Sequence, residues 1–325
     1  MDVHDERETL SIVVPCFNEE ACLENFFNVL KKTCQNNKDK FNIRIEYIFV
    51  NDGSLDRTQD ILEDFARREE NVTVYEFSRN FGKEAALSAG LRSSTGDYIV
   101  PIDADLQHPP AVIFEMLEII KKNTNLDVIV AKRKSRKNES AIYRICTSTF
   151  YSLMNKISNF EIPNDVGDFR LMRKNVVQAI VNLPEKRRFM KGLYAWVGFK
   201  SKEIEYTVGD RIEGKSKFTP LKLFSLAADG LLDFSVFPLR IWGGVGFVIA
   251  FIAFLAACYI LISTLIFGIQ TPGYASLIIS VVFFGGVQLI SIGVLGEYLG
   301  RVYNETKGRP TYIIRKKLSH ETTKL

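Results

Sequence analysis

The sequence predicts an α/β domain on a mostly parallel sheet, followed by an amphipathic interface segment and two transmembrane helices. Three observations carry this expectation. Short apolar runs alternate with segments of helical periodicity through the first part of the chain. Polar motifs recur at the ends of those runs. Beyond residue 240, two long stretches are almost wholly apolar.

Residues 11–14 read as an apolar strand closed by Pro15. A helix is expected from Asn18, because Leu23, Phe26, Phe27 and Leu30 fall at i, i+3, i+4 and i+7. Residues 43–50 form a second strand, and Ile61, Leu62 and Phe65 mark the next helix face. Residues 72–77 are a third strand, followed by a helix of small residues over 84–91. A fourth strand over 98–102 ends in an acidic cluster, a helix covers 112–120, and a fifth strand covers 128–131. Such alternation gives a parallel sheet with helices on both faces. Ligands of these sheets sit beyond the carboxyl ends of the strands, which is where CFNEE, NDGS, SRNFG and DADLQHP fall.

Residues 241–267 carry no charge, and residues 275–299 carry only Glu297. Each run exceeds the roughly 20 residues that span a hydrocarbon core. Arg240 precedes the first; Arg301, Lys307, Arg309, Arg315, Lys316 and Lys317 follow the second; the turn GIQTPGY between them is uncharged. The positive-inside rule places both ends in the cytosol. MDVHDERETL is charged and has no apolar h-region, so the expectation is a cytosolic N-terminal domain on a multi-pass protein of the inner (plasma) membrane. Between the two parts, Leu221, Leu223, Phe224, Leu226, Leu231, Leu232 and Phe234 are interleaved with Lys222, Asp229 and Asp233, a pattern suited to a helix in the headgroup plane. Gly243, Gly244, Gly246, Gly285 and Gly286 allow close helix approach, and a homo-oligomer is expected. The resulting division is a domain over 1–218, a juxtamembrane segment over 219–240, an anchor over 241–299 and a basic tail over 300–325.

A net charge of +4 is too small to argue for nucleic acid and suits an anionic lipid surface. The five cysteines show no CxxC pattern and no nearby His cluster, which argues against a disulfide framework or a zinc site.

The sharpest chemical signal is Asp103-Ala104-Asp105 directly after the fourth strand. Where a strand turns into a loop, two such carboxylates can converge on a cation. Oxygen ligands suit Mg²⁺ or Mn²⁺, which can bridge substrate phosphates, and Gln107 and His108 could add a ligand. In VNDGSLDRT, Asp52 can accept from a base imide N–H, Gly53 permits the turn, and Ser54 and Asp56 cap the next helix. No GxGxxG, GxxxxGK[ST] or GxSxG is present, which disfavours dinucleotide, P-loop and hydrolase readings. NDVGDFR gathers Asp165, Asp168 and Arg170 beside glycine, and an arginine there could neutralise a diphosphate leaving group. DRIEGKSKF supplies Arg211, Lys215 and Lys217 just before the membrane segment, where a phosphate near the bilayer is the natural partner. Arg133, Arg136, Lys137 and Arg144 form a second basic stretch.

Together, VVPCFNEE, VNDGSLDRT, SRNFGKEAA, DADLQHP, DVGDFRLM and RIEGKSKF, with the trailing spans, resemble the family 2 glycosyltransferases of GT-A fold. The subgroup resembled is the polyprenyl-phosphate glycosyltransferases, which include bactoprenol glucosyltransferases and dolichol-phosphate mannose synthases. DVGDFRLM resembles the bactoprenol branch more, since the mannose synthases tend to carry serine where Asp168 stands. The resemblance implies a nucleotide-sugar donor, a polyprenyl phosphate acceptor and a divalent cation. It implies that Pro15, Asn18, Glu19 and Asp52 contact the nucleoside and that Asp103 meets the ribose or the metal region. Asp105 and Gln107 would hold Mg²⁺ or Mn²⁺, Arg170 would contact phosphate, and Arg211 and Lys217 would bind donor or acceptor phosphate. Asp168 is the candidate base or acceptor-orienting carboxylate. QxxRW, usual in processive polysaccharide synthases, is absent, which supports a single transfer. The expected reaction is inverting transfer of one sugar, glucose first, from a UDP-sugar to undecaprenyl phosphate. The alternatives are mannosyl transfer from GDP-mannose and a non-enzymatic, nucleotide-sensing membrane subunit.

Overall fold

The computed structural model describes residues 7–134, 166–186, 188–207 and 273–320, with scattered positions between 246 and 266. Arg136, Lys137, Arg144, Asp165, Arg211, Lys215, Lys217, the segment 219–240 and most of the first expected span lie outside the described residues.

The chain divides into two units, residues 1–220 with 310–325, and residues 221–309. The first is built on an eight-stranded sheet in the order β7-β5-β6-β4-β1-β2-β3-β8. Its strands are β1 (Glu8–Cys16), β2 (Ile43–Asn51), β3 (Val72–Phe77), β4 (Tyr98–Pro101), β5 (Val128–Arg133), β6 (Val166–Arg173), β7 (Ser201–Tyr206) and β8 (Ile314–Ser319). The helices are α1 (Leu23–Phe41), α2 (Thr58–Arg68), α3 (Lys83–Ser93), α4 (Ala111–Lys122), α5 (Lys174–Val181) and α6 (Met190–Trp196). β1 pairs in parallel with β2 and β4, β2 with β3, and β5 with β7. β6 runs antiparallel between β4 and β5, and β8 runs antiparallel along β3. The sheet is therefore mostly parallel, as the strand–helix alternation requires.

The strands at the centre are buried on both faces, so they read as continuous apolar runs rather than alternations. Ile12, Val13 and Val14 of β1 have no exposed surface. On one face, Phe27 of α1 lies 4.4 Å from Phe65 of α2 and 5.5 Å from Phe49 of β2, measured between ring centroids. On α3, a Cβ at Gly90 would collide with a Val13 side-chain methyl, so a glycine is what lets this helix lie close on the sheet.

Two local expectations are corrected. α1 begins at Leu23 rather than Asn18. Asn18 has a left-handed backbone, φ 55°, a conformation its short amide side chain tolerates, and it belongs to a loop. β8 was not foreseen: Ile314–Ser319, within the expected basic tail, is an edge strand of the sheet. Arg315 pairs with Glu76 at 3.1 Å and Lys316 with Glu63 at 3.1 Å. Tyr312 stacks on Phe77 at 5.1 Å, and the Ser78 N–H donates to the Ile313 carbonyl. β8 thus covers the backbone edge that β3 would otherwise expose.

The second unit contains α7 (Tyr274–Thr306), 33 residues long, or about 50 Å at 1.5 Å per residue. Leu277, Val281, Phe283, Leu289, Leu295 and Leu299 on it are exposed. Within it, Phe283–Thr306 is the one stretch among the described residues long and apolar enough to cross a membrane. The described positions between 246 and 266 are helical.

Candidate active site

The site lies at the carboxyl ends of β1, β2 and β4 and at the amino end of the antiparallel β6. The loops after β1 and β2 are stitched together by side chain to backbone hydrogen bonds. The Asn18 N–H donates to Ser54 Oγ at 3.0 Å, and the Leu55 N–H donates to Asn18 Oδ1 at 2.9 Å. The Glu19 N–H donates to Thr58 Oγ1 at 2.9 Å, and the Arg57 N–H donates to Glu20 Oε2 at 3.0 Å. Ser54 therefore ties loops together, with its hydroxyl donating to Asn51 Oδ1, and does not cap α2. Asp56 accepts the Thr58 N–H at the start of α2, as expected. Pro15 is paired with Val50 at the end of β1. The four residues expected at the nucleoside, Pro15, Asn18, Glu19 and Asp52, share this corner.

Asp52 is 2% exposed. Its Oδ1 accepts the Phe81 N–H at 2.6 Å and its Oδ2 accepts the Gly82 N–H at 2.9 Å. Burial raises its carboxyl pKa, against the pull of those two N–H groups. Its observed task is to fix the loop before α3, a role the sequence did not indicate. Gly53 sits beside it with φ 64°. A Cβ there would lie 2.6 Å from the Asn80 nitrogen and 2.9 Å from Arg79 Cα, so the two loops touch backbone to backbone.

The acidic loop carries a second backbone outlier, Leu106 at φ 57°. Its left-handed turn folds the loop back so that Asp105 Oδ1 accepts the Gln107 N–H at 3.1 Å. Gln107 Oε1 in turn accepts from Arg133 Nη2 at 3.4 Å. Three residues expected at the metal or phosphate thus meet here. His108 lies beneath them, with Nε2 3.9 Å from Asp103 Oδ2. It is buried, its Nδ1 is 2.7 Å from the Tyr206 hydroxyl, and its ring packs 4.8 Å from Phe169. Burial lowers its pKa, with Asp103 opposing, so the imidazole is a neutral packing element.

Lys83, the first residue of α3, links the acidic loop to β6. Its Nζ lies 2.7 Å from Asp103 Oδ1 and 3.3 Å from Asp168 Oδ2. Burial opposes its charge, but Asp103 and then Asp168 outweigh burial and raise its pKa. The same ammonium holds Asp103 below the usual carboxylate range, although burial alone would raise it. Asp168 and Arg170 point to one face of β6, two residues apart. Arg170 is buried, lies 3.7 Å from the Tyr194 ring centroid, and donates from Nη2 to the Gly167 carbonyl at 2.9 Å. Asp168 Oδ1, Arg170 Nε and the Tyr194 hydroxyl are buried with no hydrogen-bond partner among the described residues. Next to Lys83, Glu84 accepts the Met190 N–H at 3.3 Å. Burial first, then the Asp168 charge, pushes its carboxyl up to about 8.

Lys83, Glu84 and Tyr194 are site residues that sequence reading missed. For the first two a signal existed, since FGKEAA falls at a strand end next to the other motifs. Tyr194 sits on a short helix with no motif around it. Asp103, Asp105 and Gln107 offer only oxygens, the donors a hard divalent cation takes. Among the described residues no three His, Cys, Asp or Glu side chains gather to cage an ion.

Residues 11–181 match the model of glycosyl transferase family 2. The chain is 46% identical to the prophage bactoprenol glucosyl transferase homolog of Escherichia coli (strain K12), over 94% of this chain and 98% of that one. It is 46% identical to the bactoprenol glucosyl transferase of Shigella phage SfII, over 94% and 97%. It is 38% identical to the uncharacterized glycosyltransferase YkcC of Bacillus subtilis (strain 168), over 97% and 96%. An apolar helix of spanning length, a GT-A-like α/β sheet and acidic and basic motifs at its strand ends accompany those matches. The chain belongs to glycosyl transferase family 2, as a glycosyltransferase of the polyprenyl-phosphate group.

Proposed function

We propose that this enzyme transfers one sugar, glucose first among the candidates, from a UDP-sugar to a polyprenyl phosphate of undecaprenyl type at the cytosolic membrane face. The observation that carries this reading is 46% identity, over 94% of this chain, to the Escherichia coli bactoprenol glucosyl transferase homolog. The nucleoside would lie in the corner of Pro15, Asn18, Glu19 and Asp52. A Mg²⁺ or Mn²⁺ ion, when bound by Asp105 and Gln107 with Asp103 beside them, would neutralise charge on the diphosphate leaving group. Arg133, Arg144, Arg211, Lys215 and Lys217 would gather phosphates of donor and acceptor. Arg170, buried under Tyr194, would act on phosphate from behind Asp168.

The lipid phosphate attacks the anomeric carbon from the face opposite the diphosphate, so the product is inverted. A phosphate monoester with a second pKa of about 6 is already mostly a dianion at neutral pH. Asp168 therefore takes the residual proton of a monoanionic acceptor or orients the attack. Lys83 offsets the repulsion between this carboxylate and an incoming phosphate.

Two spans with cytosolic ends remain our reading of the membrane part. Arg301, Lys307 and Arg309 at the end of α7 support that reading. Gly285 and Gly286 would let a second helix approach closely, and self-association through the spans belongs to the same reading.

The test is purified full-length protein, undecaprenyl phosphate and labelled UDP-glucose, UDP-N-acetylglucosamine, UDP-galactose and GDP-mannose in parallel. Label is expected in the lipid phase from UDP-glucose. Label from GDP-mannose alone would replace the donor assignment, and no lipid label from any donor would refute the acceptor.

A further inference from the structure

Lys83 stands where the two acidic motifs meet. Its backbone is held in place from behind, because Asp52 grips the N–H groups of Phe81 and Gly82 immediately before it. Its ammonium contacts both Asp103 oxygens, at 2.7 and 2.8 Å, and Asp168 Oδ2 at 3.3 Å. The side chain is half-exposed, with 47% of its surface accessible, so an incoming ligand can reach its ammonium.

An ammonium and a divalent cation cannot share one carboxylate at contact distance without strong repulsion. The cation would need Asp103 at least partly released. Release is unfavourable while Asp168 is the other carboxylate that the ammonium contacts among the described residues. A nucleotide diphosphate changes that balance, because it brings negative charge for both the ammonium and the metal.

We propose that Lys83 holds the cation's place on Asp103 until the nucleotide arrives, so that divalent cation and nucleotide bind cooperatively rather than independently. This rests on the reading that the Asp103–Gln107 loop takes a divalent cation. Lys83 is then a positioning residue: it keeps two like-charged carboxylates together and sets the order of assembly.

The experiment measures Mn²⁺ binding to full-length protein in detergent, by the loss of the free Mn²⁺ electron paramagnetic resonance signal, without and with saturating UDP. Lys83→Met is expected to tighten nucleotide-free Mn²⁺ binding at least tenfold and to shrink the UDP-induced gain by the same factor. Lys83→Arg, which keeps the charge, is expected to behave as wild type. In an Asp103→Asn background, the effect of Lys83→Met is expected to vanish. Lys83→Gln provides the same comparison should the Met variant not fold. Unchanged or weaker nucleotide-free Mn²⁺ binding in the neutral variants overturns the proposal. Wild-type protein that takes up no Mn²⁺ even with UDP overturns the cation reading too, and the wild-type arm alone shows which has failed.

Discussion

Substituting Gly53 tests whether the loops after β2 and β3 form one rigid unit around the donor site. At φ 64° an alanine costs about 1–2 kcal/mol in backbone strain. Its Cβ would also lie 2.6 Å from the Asn80 nitrogen and 2.9 Å from Arg79 Cα, and closer still to the Arg79 carbonyl carbon. These are backbone atoms, so the loops must part, and overpacking of that kind costs about 1–3 kcal/mol. Gly53→Ala should therefore lose on the order of 3 kcal/mol, or about 10 °C in Tm at roughly 2–4 °C per kcal/mol. Gly82 is the internal control, because its φ is 99° yet a Cβ there meets nothing within 4 Å. Gly82→Ala, at φ 99° and ψ 156°, should lose only about 1–3 kcal/mol of backbone strain, with no overlap added, and so show a smaller Tm loss than Gly53→Ala. Separation of the loops would also loosen the grip of Asp52 on Phe81 and Gly82, so Gly53→Ala should raise the donor KM more than Gly82→Ala does. Thermal unfolding of the three proteins in one detergent decides the matter. Equal Tm losses for the two variants would refute the backbone contact as the cause.

Three further outcomes are expected. Burial and the Asp168 charge push the Glu84 carboxyl up to about 8 in the folded protein, against near 4.3 in the unfolded chain, so the folded protein holds an extra proton between those values. Stability should fall as pH rises from about 4.5 to about 8, by up to about 1.4 kcal/mol per pH unit. Glu84→Gln should remove that slope in a Tm series, and equal slopes would contradict the assignment. Removing residues 310–325 deletes β8 and bares the β3 edge; it should lower Tm and promote association on size exclusion, whereas an unchanged monodisperse protein would show that β8 does not protect the edge. Asp168→Asn should lower kcat. A deficit that grows below about pH 6 identifies proton removal, a deficit flat with pH identifies positioning, and full activity at every pH excludes both.

Much of the parallel core was legible because its signals are local. Apolar runs mark β1 to β5, and the motifs fall at their carboxyl ends, since that is where a sheet of this kind leaves backbone and side chains free. β3 spans residues 72–77, the range its apolar run predicts. What escaped depends on distant partners. β6 is read from NDVGDFR as a chemical motif only, because its strand character comes from pairing with β4 and β5. β8 is basic and polar, and becomes a strand by meeting Glu63, Glu76 and Tyr75 on its neighbours. Asn18 escaped because helical periodicity says where a helix has its face, not where a stitched loop delays its start. Lys83 is ordinary in sequence, and its meaning comes from two carboxylates 20 and 85 residues further along.

The central claim is that one sugar passes from a nucleotide to a polyprenyl phosphate. Mass spectrometry of the lipid fraction, after incubation of the purified protein with UDP-glucose, a divalent cation and undecaprenyl phosphate, tests it most directly. The predicted result is a lipid heavier by a single hexose, formed in step with UDP release and lost on chelation. Unchanged lipid beside free glucose, or a lipid carrying a run of hexoses, would contradict it.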